Sequence, residues 1–213
     1  MDKFANRYAA GKLLAAYLEL FANDPDCIIL ALPRGGVPVA YEIAKTLSLP
    51  LEVFIVRKLG VPGHEEFAMG AIASGDVIVF NQDVIRELGI EPSSIEQVIQ
   101  AEKQELRRRE FVYRGNRIFP ECAHKTVILV DDGVATGATM RAAIKAVQAK
   151  NPKRMVVAIP VAALSTYKEL AKLVDQVICP FRPEFFNAVG NWYEDFSQTT
   201  DEEVFSLLAK LNK

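Results

Sequence analysis

Two adjacent acids, Asp131 and Asp132, separate an apolar run from a loop of small and hydroxyl-bearing residues. The apolar run, residues 126–130, predicts a buried strand, because its apolar residues follow one another without alternation. Residues 133–139 have the sequence GVATGAT, and a helix is predicted from about residue 138. In open α/β folds, ligands bind at such strand-to-helix turns on the carboxyl edge of the sheet. The two acids therefore lie where a ligand is expected.

The loop that follows the acids has the residue types that bind a phosphate group. Small residues at 135–138 let backbone N–H groups approach a phosphate, and the start of the helix favours its negative charge. The hydroxyls of Thr136 and Thr139 can donate to phosphate oxygens. Two neighbouring carboxylates repel a phosphate, so they should face hydroxyl groups or a cation. A ribose that carries a 5'-phosphate presents both kinds of group.

Other phosphate-binding and phosphate-accepting patterns fit the sequence less well. There is no GxxxxGK[ST], and no GxGxxG follows a strand. A phosphoacceptor receiver domain would also place acids such as Asp131 and Asp132 at a strand end. That interpretation leaves the residues from Thr136 to Thr139 unexplained.

Residues 131–139 resemble the phosphoribosyl-pyrophosphate motif of the type I phosphoribosyltransferases, two acids followed by a small/Thr/Gly/x/Thr loop. Two more segments extend the resemblance over about residues 28–180. The PRGG sequence at 33–36 resembles the pyrophosphate loop of that family, and VRK at 56–58 resembles its pyrophosphate-contacting basic position. The glycine-rich segment 59–75 falls where the family has its catalytic lid.

The resemblance implies an enzyme that transfers ribose 5-phosphate from phosphoribosyl pyrophosphate to a small planar nitrogen acceptor, with Mg²⁺ as cofactor and pyrophosphate as product. It assigns the ribose hydroxyls to Asp131 and Asp132, which would bind them directly or through the metal. It assigns catalytic roles at the pyrophosphate to Arg34 and Lys58. The implied binding residues are Gly35, Gly36 and Arg57 for the pyrophosphate, and Ala135, Thr136, Gly137, Ala138 and Thr139 for the 5'-phosphate. A regulator that senses phosphoribosyl pyrophosphate or a nucleotide without catalysis is the alternative.

Two positions depart from the family pattern. Ala135 stands where the 6-oxopurine transferases have an aspartate that handles a proton of the base. A methyl group cannot do this, so hypoxanthine and guanine are expected to be poor acceptors. Gly133 replaces an aliphatic residue and gives the loop extra backbone freedom.

The elements that must position these residues alternate between apolar runs and helical segments. Strands are predicted at 27–32, 51–56, 126–130, 155–159 and 176–179, with helices at 37–47, 138–150 and 165–173. Strands that are apolar on both faces belong to a parallel sheet covered by helices. The predicted fold class is therefore α/β, with a central, mostly parallel sheet flanked by helices.

Several segments lie outside this alternation, and we expect all of them within one domain over residues 1–213. An amphipathic helix is predicted over 4–21, and residues 58–75 predict a long mobile loop or a hairpin. A helical insertion is expected at about 81–119, where Ser93 and Glu96 form a capping box and the helix ends at 107–109. A last helix is predicted after the Thr199-Thr200 cap.

Residues 180–195 are the candidate hood over the acceptor. Phe185, Phe186, Trp192 and Tyr193 could form a stacking wall for a planar group. The same aromatic residues also suit ordinary packing or the contact of a homodimer.

The composition narrows the classes of protein that fit. The 213 residues are 50% hydrophobic and 24% charged, and 25 basic against 27 acidic residues give a net charge of -2. This balance argues against a nucleic-acid partner and a polybasic membrane anchor. The longest apolar run, 155–164, is shorter than the about 20 residues of a membrane span, and no signal peptide is recognised. We expect a cytoplasmic protein whose three cysteines are reduced and mostly buried, without disulfides or structural zinc.

Overall fold

The computed structural model describes residues 3–211, except the side chains of residues 65 and 66. The strands are β1 (Cys27–Ala31), β2 (Leu51–Val53), β3 (Val56–Val61), β4 (His64–Ala73), β5 (Val77–Phe80), β6 (Thr126–Val130), β7 (Arg154–Ala158) and β8 (Gln176–Ile178). The helices are α1 (Arg7–Tyr17), α2 (Gly36–Leu47), α3 (Gln82–Glu87), α4 (Pro92–Arg114), α5 (Ala138–Gln148), α6 (Leu164–Leu170) and α7 (Asp201–Leu211).

The centre of the molecule is a parallel sheet with the strand order β2-β1-β6-β7-β8. Strands β1 and β6 are neighbours, and their last residues, Ala31 and Val130, are partners in the register. The Leu32 N–H continues the pairing by donating to the Val130 carbonyl at 2.9 Å. The loops that follow these two strands therefore begin side by side. This arrangement confirms the predicted α/β class.

Both faces of the sheet are covered by helices. Ile29 and Ile128 pack on one face with residues of α1, α2 and α7. Ile28 and Val127 pack on the other face with residues of α5 and α6. Successive side chains of a strand point to opposite faces, so a strand in this position must be apolar throughout.

The second strand of the prediction is too long. β2 ends at Val53, and β3, which begins at Val56, belongs to an antiparallel sheet with the order β3-β4-β5. Phe54 and Ile55 connect the two sheets and are buried, which is why the apolar run continues without a break. The glycine-rich segment 58–75 forms mainly the β3–β4 hairpin, the second of the two alternatives that its sequence allowed.

The helical segment at 82–114 differs from the prediction at both ends of α4. Its N-cap is Glu91 and its first residue is Pro92, so the capping box predicted at Ser93 is wrong. The fixed φ of proline favours the first helical position. The helix continues past the arginines at 107–109 to Arg114, whose buried side chain pairs with Glu110 at 2.9 Å. Among the described residues, no helix combines the length and the apolar character needed to cross a membrane.

The opening helix begins later than predicted and packs closely on α2. The Asn6 side chain accepts from the Ala9 N–H at 3.0 Å and caps α1, which is followed by a short 3₁₀ turn at Glu19–Phe21. A Cβ atom at Gly11 would lie 2.4 Å from the carbonyl oxygen of Val39 in α2. The absence of a side chain at this position therefore sets the distance between the two helices.

We expect Gly11→Ala to lower the free energy of unfolding by about 1–3 kcal/mol, because α2 must move to make room for the added carbon. The loss should exceed the gain in helix propensity, and the midpoint of thermal unfolding should fall by roughly 2–4 °C per kcal/mol. Lys12→Ala, on the exposed side of the same helix, is the control. Unchanged or higher stability of Gly11→Ala in scanning calorimetry would contradict the close packing of α1 on α2.

Candidate functional site

The loop after β1 packs directly against the two acids that follow β6. A Cβ atom at Gly35 would lie 1.9 Å from Oδ2 of Asp132, and one at Gly36 would lie 2.9 Å from Cα of Asp131. No other residue type leaves the space that these contacts require. The peptide bond between Pro33 and Arg34 is cis. The structure thus joins two predicted segments that are far apart in the sequence.

The loop between β6 and α5 is a tight turn that side chains of α5 and α6 hold by hydrogen bonds. Gly137, with φ +76°, is the N-cap of α5. The Thr166 hydroxyl donates to the carbonyl oxygen of Ala135 at 2.6 Å, and Arg141 Nη1 donates to that of Thr136 at 2.8 Å. The first N–H groups of a helix have no partner within the helix. They are the donors that a bound anion can use.

A small cavity lies inside this turn. Its volume is about 130 Å³, and its lining includes Asp131 and the predicted phosphate-binding residues from Ala135 to Thr139. The structure therefore places one acid and the whole loop around the same space. This is the arrangement predicted for a ligand that carries a phosphate and hydroxyl groups.

The two acids are hydrogen-bonded in different ways. Oδ1 of Asp131 accepts from the Asp132 N–H at 2.8 Å, whereas Oδ2 of Asp132 accepts from Nε of Arg7 at 2.8 Å. Burial raises the pKa of Asp131, and the charge of Asp132 raises it further. Burial also raises the pKa of Asp132, although Arg7 opposes this effect. Hydroxyl donors or a cation from a ligand would favour the charged form of the pair.

Arg7 is a site residue that the sequence did not indicate. Its Nη1 donates to the carbonyl oxygen of Ser197 at 2.6 Å, and its guanidinium carbon lies 3.9 Å from the centre of the Phe196 ring. The Tyr193 hydroxyl donates to the carbonyl oxygen of Asp132 at 2.5 Å. These contacts join the start of α1, the acid pair and the segment before α7. No local pattern could reveal them, because Arg7 and Asp132 are 125 positions apart.

The predicted basic residues lie in two places. Arg34, in the loop after β1, has Nη1 3.8 Å from Oδ1 of Asp201 at the start of α7. Arg57 is in β3, and its Nε donates to Oε2 of Glu102 in α4 at 2.6 Å. Arg57 and Lys58 line a different cavity, of about 410 Å³, between β3 and α4. The structure brings Arg34, but not this pair, into the loop beside the acids.

The aromatic side chains near residue 190 differ in how deeply they are buried. Tyr193 is buried against Phe4, with ring centres 5.4 Å apart. Phe186 and Trp192 are stacked with ring centres 6.2 Å apart. A Cβ atom at Gly133 would lie 2.5 Å from Cγ1 of Val189, so this segment covers the loop after β6. A hood remains the prediction for it, with Tyr193 serving as a support and not as part of an exposed wall.

Comparison with known proteins places most of the chain within one family model. The family model of the phosphoribosyl transferase domain matches residues 5–195. A Mycobacterium tuberculosis protein provisionally named as a phosphoribosyl transferase is 38% identical over 213 residues, which are 100% of this chain and 48% of that protein. The chain thus spans about half the length of the curated relatives it matches. A crystal structure of a Thermus thermophilus protein is 39% identical with a TM-score of 0.86, covering 98% of this chain and 99% of that one.

Asp131→Asn should stabilise the protein without ligand at pH 7–8, because asparagine keeps the acceptor for the Asp132 N–H and removes a buried charge. The raised pKa of Asp131 means that the folded chain holds a proton more tightly than the unfolded chain. The contribution of Asp131 to the stability of the native protein should therefore fall as the pH rises above about 4, the ordinary pKa of aspartate. We expect an advantage for Asp131→Asn on the order of 1 kcal/mol, or about 2–4 °C, that disappears towards pH 4.

Thermal unfolding between pH 4 and pH 8 measures this difference. Asp24→Asn is the matched control, because the half-buried side chain of Asp24 also accepts a backbone N–H, that of Asp26, at 2.9 Å. A lower stability of Asp131→Asn at pH 8 would show that the Asp131 carboxylate is a stabilising structural group.

Proposed function

The chain belongs to the phosphoribosyl transferase family, and from that membership we propose that it transfers ribose 5-phosphate from phosphoribosyl pyrophosphate to a nitrogen atom of a small planar acceptor. The observation that carries the proposal is the cavity that Asp131 shares with the loop from Ala135 to Thr139. A ribose 5-phosphate has its hydroxyls and its phosphate on one small molecule. It can therefore contact both parts of the cavity at once.

The two sides of the cavity suit different parts of this ligand. The loop from Ala135 to Thr139 offers N–H groups and the start of α5 to the 5'-phosphate. Asp131 and Asp132 form the acidic pair that we assign to the ribose hydroxyls. Gly35 and Gly36 lie against these acids, so a pyrophosphate on the ribose would reach the loop after β1.

The reaction exchanges one bond at C1 of the ribose for another. The bond from C1 to the pyrophosphate oxygen breaks with its electron pair on the leaving group, the bond from C1 to the acceptor nitrogen forms, and that nitrogen loses a proton. Positive charge develops on the ribose, so catalysis depends on stabilising the leaving group. We assign this role to Arg34 and Lys58, with Arg57 and the N–H groups of Gly35 and Gly36 beside them.

Arg34 can take this role by exchanging partners. Its side chain is 39% exposed, and its distance to Asp201 of 3.8 Å is longer than a direct hydrogen bond. Arg57 and Lys58 are in the β3–β4 hairpin, to which we assign the role of the lid. To act on the same ligand, their side chains must reach its pyrophosphate from the hairpin.

The donors at this edge fit Mg²⁺. Carboxylate oxygens such as those of Asp131 and Asp132 are hard ligands, which this cation prefers. Among the side chains that the structure describes, no group of three or more acids, histidines or cysteines could hold a metal ion by itself. The acids and oxygens of the substrate would therefore share the ion, as is usual for Mg²⁺. When bound, it would neutralise negative charge on the departing pyrophosphate.

A sensor that binds phosphoribosyl pyrophosphate or a nucleotide without turnover is the second candidate. It is favoured by the ion pairs of two assigned cations, Arg34 with Asp201 and Arg57 with Glu102. These carboxylates neutralise charge that transfer chemistry would direct to the pyrophosphate. Turnover therefore distinguishes the two candidates.

We expect the protein to release pyrophosphate when it is incubated with phosphoribosyl pyrophosphate, Mg²⁺ and an acceptor from a panel of nucleobases and small amines. The double substitution Asp131→Asn with Asp132→Asn should lower kcat/KM by about 100-fold or more, because the ribose contacts are lost. Asp24→Asn serves again as the control. Calorimetry that detects no binding of phosphoribosyl pyrophosphate at millimolar concentration would refute both candidates, whereas binding without turnover on the whole panel would support the sensor.

Hypoxanthine and guanine should be poor acceptors in this panel, because Ala135 has no group that can exchange a proton with the base. Ala135→Asp by itself should not make them good acceptors, since the segment at 180–195 must also fit the base. Initial rates with each nucleobase measure this preference. Efficient use of either oxopurine by the native protein would show that proton transfer in the site does not depend on residue 135.

A further inference from the structure

Three successive carbonyl oxygens of the loop after β6 accept hydrogen bonds from neighbouring groups. The three pairs are the Val134 carbonyl with the Ala163 N–H at 3.2 Å, the Ala135 carbonyl with the Thr166 hydroxyl at 2.6 Å, and the Thr136 carbonyl with Nη1 of Arg141 at 2.8 Å. The protein therefore holds the loop at three consecutive peptide groups.

The N–H groups of the same three peptide groups have no such partners. Within the part of the chain that the structure describes, the N–H groups of Ala135, Thr136 and Gly137 donate to no protein acceptor. These peptide groups are trans, so each N–H points away from the carbonyl to which it is joined. The three donors are therefore directed away from the contacts that hold the carbonyls. The same three residues line the cavity of about 130 Å³.

Thr166 is the more buried of the two side chains that hold the loop. It is 5% exposed, whereas the Arg141 side chain is 37% exposed and also donates to Oε2 of Glu169 at 3.1 Å. A Cβ atom at Gly137 would lie 2.7 Å from Cγ2 of Thr166, so the methyl group of Thr166 lies close to the N-cap of α5. The hydroxyl and the methyl group of Thr166 thus contact two different residues of the loop.

We propose that Thr166 is a positioning residue of the phosphate site. Its hydroxyl keeps the carbonyl of Ala135 directed out of the cavity, so that the N–H of Thr136 in the same peptide group faces the phosphate. The inference rests on the proposed function, because it assumes a phosphate in this cavity. It assigns part of the affinity for the 5'-phosphate to a side chain of α6 that does not line the cavity.

Loss of the Thr166 hydroxyl has a defined electrostatic consequence. The Ala135 carbonyl belongs to a half-buried residue, and without a donor it is costly to leave in place. The peptide group between Ala135 and Thr136 would then be free to rotate and direct this oxygen into the cavity. An oxygen there repels a phosphate, and the N–H of Thr136 no longer reaches it. A hydrogen bond to a charged group changes an equilibrium constant by about tenfold or more.

Two variants of Thr166 separate its hydroxyl from its methyl group. Thr166→Val removes the donor and retains the branched shape beside Gly137, whereas Thr166→Ser retains the donor and removes the methyl group. Thr126→Val is the matched control, because Thr126 is similarly buried, with 7% exposure, and lies at the other end of β6 from the loop. Calorimetry measures the affinity for ribose 5-phosphate and for inorganic phosphate, and thermal unfolding without ligand measures stability.

Thr166→Val should weaken the binding of ribose 5-phosphate about tenfold, because one hydrogen bond to the charged phosphate is lost. The binding of inorganic phosphate should weaken by a similar factor, since the loop contacts only the phosphate. Thr166→Ser and Thr126→Val should bind both ligands nearly as the native protein does. Both substitutions at position 166 should lower the unfolding midpoint, so affinity is expected to follow the hydroxyl and not the stability.

Two results would overturn the inference and leave the proposed function standing. One is equal affinity of the native protein and Thr166→Val. The other is an equal loss of affinity in Thr166→Val and Thr166→Ser, which would mean that Thr166 only packs against the loop.

The two ligands distinguish these failures from a failure of the proposed function. A native protein that binds inorganic phosphate as tightly as ribose 5-phosphate would contradict the proposed function. The comparison of Thr166→Val with Thr166→Ser would then still test Thr166 with phosphate alone. A native protein that binds neither ligand would refute both.

Discussion

The site depends on keeping two carboxylates next to each other at the end of a buried strand. Burial raises the pKa of both acids, and the charge of Asp132 raises the pKa of Asp131 further. Arg7 neutralises one of them from a helix that is distant in the sequence. Helix α5, whose first N–H groups have no partner within the helix, begins in the loop beside the other acid. The surroundings of Asp131 and Asp132 thus compensate part of the negative charge of the pair.

The fold explains how segments that are distant in the sequence come to lie against the acid pair. In-register pairing of β1 with β6 places the loop at 33–36 against the acids, and only glycine fits at positions 35 and 36. Helix α1 packs on α2 through Gly11, and its first residue then reaches Asp132. Arg57 belongs to the other sheet, so its relation to the acids depends on the position of the hairpin. The proposed transferase would need Arg34 and the hairpin residues at the pyrophosphate, whereas a sensor without turnover would not.

The sequence predicted what local patterns determine, namely the continuous apolar strands, the α/β alternation and the acid loop after β6. It could not predict contacts between distant segments. Arg7 appears in the sequence as an ordinary helical residue, yet it contacts Asp132 across 125 positions. The apolar run at 51–56 did not show where the chain leaves one sheet for the other. Phe54 and Ile55 are buried even though they belong to neither strand. The start of α4 was misplaced because Pro92 outweighed the capping box at Ser93. The assigned roles of Arg34, Lys58 and Arg57 stay predictions.

The most direct test of the central claim is a crystal structure of the protein with ribose 5-phosphate. The phosphate should lie within hydrogen-bond distance of backbone N–H groups between Ala135 and Thr139, and a ribose hydroxyl should donate to Asp131. A phosphate bound instead in the cavity between β3 and α4, near Arg57, would contradict the claim. It would mean that the acid pair serves the structure and that the anion site of this protein is elsewhere.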